Sequence, residues 1–512
     1  MTFIKLVIAV CAAVFLFTAC TQPQEKSSIR ISGPFEAITL DPSISGFMFS
    51  RLEVIQTLVD VNPSGELVPS LATEWFSSKD GTVWTFKLRK NVQFHNGRLL
   101  TANDVTNALK VALNKPGPIQ HAGIVQIKSE NNDQIHIYLK DSYPALPSVL
   151  SNYSTAILAR ESYDKPGSVK ELIATGPYQI SEFAPPHQIK VTKFSDFWGQ
   201  TARIKSVEYI TGHRSESRAM MVRTGQAKIV YNLDPATLTS LKTYKNVQVH
   251  RTEIPRTIMV KLNLAHPHLA DPNVRKALSL AIDRQAIASQ ILKAPGSAAN
   301  QIFGPILKNW HLAKLEPEYS NVMAAQKYLK SAGWQLADDH LWYKNGEPLS
   351  LNLITYANRP ELIVLATVLQ AQWRELGILV QVLMENSSAI PSGHADGSLE
   401  MALIARNFGT IGDPFGLILN EFSHSDGGDW GPMNYTNAEV FTTLNKMRTL
   451  NDNQEFFNLA QQTASLIQQD IPLIPIAYYL QSSAVSNSIQ QFEFDPFERS
   501  FLISRMSLQD NE

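Results

Sequence analysis

Leu67-Val68-Pro69-Ser70-Leu71-Ala72-Thr73-Glu74-Trp75 runs into Asp80-Gly81, Trp84-Thr85-Phe86-Lys87-Leu88-Arg89, Val92-Gln93-Phe94-His95-Asn96-Gly97 and Thr101-Ala102-Asn103-Asp104-Val105, and no other stretch of the chain says as much. Asp80-Gly81 signals a turn, and 82–89 reads as a strand with Trp84, Phe86 and Leu88 on one face at period two. Asn96-Gly97 marks the next turn. Thr101 is placed to cap a helix, and Asp104 follows three residues later, where a carboxylate suits the positive end of the helix. Trp75, Trp84, Phe86 and Phe94 are expected in a core, and Gly97 and Gly176 at turns.

Further along, Asp271 caps a helix that has Pro272 in its first position, and Val274, Ala277, Leu278, Ala281 and Ile282 recur at helical spacing. Residues 349–356 read as a strand, 361–376 as a helix ended by Gly377, and 378–384 as a second strand. Lengths of this kind imply a parallel pair joined by a right-handed crossover. The expected fold class is α/β with mixed sheets.

The quoted stretch resembles the signature of the family 5 solute-binding proteins, the oligopeptide-, dipeptide- and nickel-binding components of ABC importers. Further matches follow in the family's order: Thr175-Gly176-Pro177-Tyr178, Phe197-Trp198-Gly199, Val274-Arg275-Lys276-Ala277-Leu278, Ala332-Gly333-Trp334, Asp413-Pro414 and Ile471-Pro472-Leu473-Ile474-Pro475. The resemblance implies a two-lobed clamp with a hinge, closing on a ligand held between the lobes. It implies a discontinuous lobe I over 29–60, 174–265 and 486–512, an inserted subdomain over 61–173, and lobe II over 266–485. Expected partners are an ABC permease and its ATPase.

The first residues address the compartment. A weakly positive start precedes an apolar run over 6–17, too short to span a bilayer, and Phe17-Thr18-Ala19-Cys20 follows at once. The segment resembles a bacterial lipobox. This predicts a signal peptide over 1–19, lipidation of Cys20 and a polar tether over 20–28. The chain has two cysteines, and the other, Cys11, lies inside the segment to be removed, so the mature chain has no internal disulfide. The body of the protein is therefore expected outside the cytoplasm, tethered to the membrane and monomeric.

At 512 residues with 44% hydrophobic content, the chain is able to bury more than one core. Its formal net charge of −1 offers none of the basic excess that nucleic acid binding needs. No Gly-x-Ser-x-Gly elbow, His-Glu-x-x-His helix or phosphate-cradling Gly-rich loop with Lys is present, so no enzyme is expected. A ligand-presenting sensor or chaperone on the same clamp is a third reading.

Two signals about the ligand disagree. Peptide-binding members of the family carry an Asp four residues before the Pro of the Asp-Pro turn, where it pairs with the ligand's ammonium. Thr410 stands there, and a hydroxyl does not neutralise a buried ammonium. Asp413 reads as the turn residue. Arg406-Asn407-Phe408-Gly409 and Ser423-His424-Ser425-Asp426 instead resemble the nickel-binding branch, whose His ligates the metal; imidazole is a good donor for Ni(II) when a small chelator fills the other positions. There are departures from that branch. His424 lies two residues closer to Asp413, Gly412 replaces a Tyr, and Tyr153 takes the place of the chelator-clamping Arg. The expected cleft residues are Arg406, as carboxylate anchor or loop support, Phe408 as an apolar wall, Thr410, Asp413, Tyr153 from the opposing lobe, and His424 as a metal ligand. No resident cofactor is expected. The cargo is an oligopeptide or peptide-like solute, with a nickel chelate as the alternative.

Overall fold

Helix Pro360–Leu376 crosses between strands Ser350–Tyr356 and Leu379–Glu385, which pair in parallel as their spacing requires. Leu362, Leu365, Leu369, Trp373 and Leu376 recur on its buried face. Gly377, at φ 94°, takes the left-handed conformation that ends it. The computed structural model describes residues 27–509, apart from 166, 357, 358 and 451. The expected signal peptide and Cys20 lie outside the described residues. No helix among the described residues is long and apolar enough to cross a membrane.

Ten strands form a central mixed sheet: β1 Ser28–Gly33, β2 Tyr178–Ala184, β3 Gln188–Lys193, β4 Ser206–Thr211, β5 Ile229–Tyr231, β6 Val247–Leu262, β7 Ser350–Tyr356, β8 Leu379–Glu385, β9 Met401–Asn407 and β10 Leu473–Ser486. Their order across the sheet is β2-β3-β4-β1-β5-β10-β6-β9-β7-β8. β1 is parallel to β4 and β5, β7 is parallel to β8 and β9, and the other pairs are antiparallel. The α/β class with mixed sheets is thereby observed.

Two strands belong to both lobes. β6 has 16 residues and β10 has 14, and they pair along most of their length. At one end β10 pairs with β5 through Ser483, Ala484 and Val485, beside the lobe I core of Ile29, Phe49, Tyr209 and Ile229. At the other, β6 pairs with β9 from Arg256 to Leu262, inside the lobe II core. Between Glu253 and Thr257 the register slips, so that Ile254, Pro255 and Arg256 stand against Tyr479 alone. Pro255 has no N–H to give to the ladder, which localises the break. The chain thus passes from lobe to lobe inside the boundaries at 265/266 and 485/486 drawn from sequence.

The inserted subdomain is a four-stranded sheet, with Ala72–Ser77 and Val83–Leu88 followed by Gln134–Leu139 and Ile124–Asn131, against helix Ala102–Leu113. Trp84, Phe86, Leu88 and Phe94 are buried in its core, while Trp75 is half-buried against it. Thr101 and Asp104 complete a reciprocal capping box. Gly97 has a φ of 82° and serves a turn. Gly176 departs from expectation. It is not among the left-handed glycines, and a Cβ there would run into the Glu53 carbonyl, so close approach of two backbones requires it.

Candidate functional site

The bulge in β6 breaks the pairing of Arg256 with β10, while it still pairs with Asn407 of β9, and its guanidinium lies 5.1 Å from the centroid of the Tyr479 ring. Arg256 Nη2 donates to Glu498 Oε2 at 2.7 Å, and Arg51 Nη2 donates to Glu498 Oε1 at 3.1 Å. Arg51 ends the lobe I helix Pro42–Arg51, and its guanidinium lies 4.3 Å from the Phe35 ring centroid. From lobe II, Arg359 stands just before helix Pro360–Leu376. Its Nη1 donates to the Tyr479 hydroxyl at 3.4 Å and lies 3.8 Å from Glu361 Oε1. Lobe I, the hinge strands and lobe II therefore converge on one cluster.

That cluster holds three guanidinium groups, Arg51, Arg256 and Arg359, against two carboxylates, Glu498 and Glu361. Burial works to raise the Glu498 carboxyl, but Arg256, Arg51 and Arg359 together bring it below its ordinary range. Burial depresses Arg256, and Arg359 adds to this by like-charge repulsion, while Glu498 opposes it. Arg51 and Arg256 are each 8% exposed, yet Nη1 of the first and Nε of the second have no hydrogen-bond partner. Buried charged donors without acceptors are costly. Next to them lies a cavity of about 10 Å³, lined by Phe35, Arg51, Tyr231, Gln481, Glu498 and Phe501. The cavity has room for about one water, and Arg256 and Arg359 are not among its lining residues. What the cluster itself offers an anion is its unpaired N–H groups and its excess of positive charge.

The sequence-predicted residues fall in different places. Arg406, on β9, forms an ion pair with Glu421, which is 2% exposed. This pairing fits the loop-supporting role, while its Nε, like Nη1 of Arg51 and Nε of Arg256, is buried without a hydrogen-bond partner. Phe408 is fully buried in the lobe II core, 5.3 Å edge-on from Phe303, so it stiffens the loop from inside and does not stand as a cleft wall. Asp413 is held in a turn: Oδ1 accepts the Phe415 N–H at 2.8 Å and Oδ2 accepts from Asn309 Nδ2 at 3.2 Å. Burial raises its carboxyl, and those hydrogen bonds oppose the rise.

Thr410 does meet the other lobe, where its carbonyl accepts from Asn152 Nδ2 at 3.3 Å. Tyr153, next to Asn152, is half-buried and packs edge-on to Phe47 at 6.3 Å. His424 is exposed, and its Nδ1 accepts the Gly427 N–H at 3.1 Å. Among the described residues no group of three or more His, Cys, Asp or Glu is arranged to hold a metal ion. Structure thus brings Thr410 and Tyr153 to one seam, leaves Arg406, Phe408 and Asp413 within lobe II, and sets His424 on its surface.

Arg51, Arg256, Arg359, Tyr479 and Glu498 are the residues that sequence reasoning passed over. For Arg359 a signal existed, since it follows the carboxyl end of the parallel strand β7, where open α/β sheets bind ligands. For Glu498 there was none, because its partner Arg51 is 447 positions away. A separate cavity of about 600 Å³ is lined by lobe II residues alone, Pro272, Lys276, Glu316, Tyr328 and Gln468 among them. It lacks convergence between lobes, and its Lys276 is already paired with Glu318.

The model of the bacterial extracellular solute-binding proteins, family 5 Middle, matches residues 66–429. The nickel-binding periplasmic protein of Escherichia coli (strain K12) is 26% identical over 396 residues, covering 74% of this chain and 75% of that protein. A probable di/tripeptide-binding protein of Pseudomonas aeruginosa is 24% identical over 465 residues, covering 85% and 86%. Among solved structures, a nickel ABC transporter protein from Bacillus halodurans aligns with TM-score 0.79 at 25% identity, over 94% of this chain and 100% of that one. The oligopeptide-binding protein of Bacillus subtilis in complex with a nonapeptide aligns with TM-score 0.78 at 20% identity, over 96% and 100%.

Proposed function

The chain belongs to the family 5 bacterial extracellular solute-binding proteins, non-enzymatic components of ABC importers, and on that premise we propose its cargo: a peptide or peptide-like solute held by its carboxylate between the lobes. The supporting observation is the cluster of Arg51, Arg256 and Arg359, with three cations against two anions and two buried N–H groups lacking acceptors. A solute carboxylate supplies those acceptors and the missing negative charge. Arg359 is the member contributed by lobe II, so the solute gains it only as the lobes come together. The ordinary ammonium partner is absent at Thr410, so the carboxylate end is the one that anchors.

A second reading has support from the similarity to nickel-binding proteins. A nickel–chelator complex presents carboxylates to the same guanidinium groups, and His424 offers the free Nε2 of an exposed imidazole as a donor. Native mass spectrometry of the chain from Thr21, purified gently from an expressing cell, separates the two. Adducts with the masses of short peptides, lost in Arg359→Ala, are the expected result. A single small adduct with a nickel isotope pattern, lost in His424→Ala, moves the assignment to the chelate. A peptide adduct retained in full by Arg359→Ala removes the carboxylate anchor.

We also assign Cys20, which lies outside the described residues, as the acylated residue that tethers a monomer to the membrane. Incorporation of labelled palmitate into the full chain, abolished by Cys20→Ser, is the expected outcome. Equal labelling of that variant overturns it.

A further inference from the structure

Loop 408–414 leaves β9, enters helix Phe415–Phe422, and is a part of lobe II that touches the inserted subdomain. Asn152 donates Nδ2 to the Thr410 carbonyl at 3.3 Å, and its Oδ1 accepts the Ser154 N–H at 3.0 Å, which holds the amide in one orientation. Two residues on, Gly412 is buried. A Cβ on it would lie 2.7 Å from Leu67 Cδ2 and 3.1 Å from Val61 Cγ2. Val61 and Leu67 face each other across the hairpin of strands Val59–Val61 and Leu67–Pro69.

Gly412 is not among the left-handed glycines, so its backbone conformation is open to any residue. Space, not backbone conformation, limits the bulk there, and the nearest neighbour is the flexible end of Leu67. The hairpin is not free to yield, because Asp60 Oδ1 accepts from Arg499 Nε at 3.0 Å and from Nη2 at 2.9 Å. Gly409, on the same loop, meets Pro255 of the hinge bulge as a second close approach. A Cβ alone is met by a turn of the half-buried Leu67 side chain, whose flexible end it approaches; a larger side chain at 412 also meets Val61 Cγ2 and the Gly65 carbonyl, and has to move either the anchored hairpin or the lobe.

We infer that Gly412 is a positioning residue for closure: its missing side chain admits Leu67 and sets how near lobe II comes to the inserted subdomain. The inference rests on the reading of the chain as an interlobe binding protein. It adds that closeness of the lobes, and with it the convergence of Arg51 and Arg359 on Glu498, is limited at a seam whose Gly412 edge is built from apolar contacts. A bulky residue at 412 weakens retention of cargo without touching the guanidinium cluster.

The test uses the chain from Thr21, which keeps every residue of the described fold and contains no cysteine. Spin labels go on Val125→Cys and Met384→Cys, exposed positions of the subdomain and lobe II at 65% and 58%. Double electron–electron resonance then reads the interlobe distance directly. The expected result is a short-distance population in the parent protein, its loss in Gly412→Leu, and its return when Leu67→Ala is added. Retained adduct mass in Gly412→Leu falls about tenfold or more, the cost of forcing bulk into a filled space. If Gly412→Leu does not fold, Leu67→Trp adds the bulk from the hairpin side and carries the same expectation. A short-distance population that persists in the bulky variant, is missing from the parent, or fails to return with Leu67→Ala overturns the inference. The distances are read independently of any cargo, so failure of the peptide assignment shows separately, in the adduct masses.

Discussion

Arg256 Nη2 and Glu498 Oε2 meet at 2.7 Å, joining the hinge bulge to the C-terminal segment across 242 positions of sequence. Both side chains are nearly buried, at 8% and 7% exposed, and the same carboxylate takes a second bond from Arg51. Charged groups so placed depend on each other, since either one alone is a buried uncompensated charge.

Glu498→Gln leaves Arg51 and Arg256 facing one another without an anion. The expected loss of stability is about 3–5 kcal/mol, the usual effect of removing one partner from a buried pair. Denaturant unfolding of parent and variant measures it. A loss below about 1 kcal/mol would mean that water already screens the cluster.

Arg406→Met is expected to act on stability and not on the carboxylate anchor, because it strands the buried Glu421 carboxylate. Adding Glu421→Leu should recover most of the loss, since an ion pair replaced by apolar groups is often neutral. A double-mutant cycle by thermal unfolding checks this, and strict additivity of the two losses would count against a working pair.

Lys261 is wholly buried on β6, and burial pulls its ammonium down to about 7, against the attraction of Glu421 and Asp429 and with the repulsion of Arg406. Between about pH 7 and its unfolded value near 10.5, the unfolded chain binds a proton here that the folded chain does not. Stability should therefore rise with pH through that window. Below about 7 the cost of the buried charge is present in full. Lys261→Met removes this part of the slope. Equal slopes in parent and variant, from unfolding midpoints taken across the window, would refute it.

Asp413→Ala removes the acceptor for the Phe415 N–H at the start of helix Phe415–Phe422 and frees Asn309. The expected cost is about 1 kcal/mol, as for other lost helix-start acceptors. Urea denaturation reads it, and the guanidinium cluster gives no reason for retained adduct mass to change.

Local signals carried the elements and failed at the site, for physical reasons. Thr101 with Asp104 and Gly377 at the end of its helix were legible because each acts on backbone within a few positions. The α/β unit around helix Pro360–Leu376 followed from the lengths of its strand, helix and strand. Gly176 misled because a glycine serving a turn and a glycine serving close approach look alike in sequence. Phe408 and Arg406 sit in the expected motif but spend their contacts inside lobe II, on Phe303 and Glu421. Arg256 was hidden in a strand whose slip beside Pro255 is visible only against its partner, and Glu498 depends on an arginine near the other end of the chain.

β6 and β10 run unbroken through both lobes, so the molecule resembles a leaf bent along its midrib more than two shells on a pin. Any opening or shutting of the lobes has to change the twist of one continuous sheet. Neither half is a detachable part. A lobe II cut out by itself would present the orphaned stretches of both strands as raw edges, ready to pair with a neighbour's. The same continuity makes the two halves a single unit of inheritance: neither can be exchanged for a foreign counterpart unless its share of the midrib goes with it.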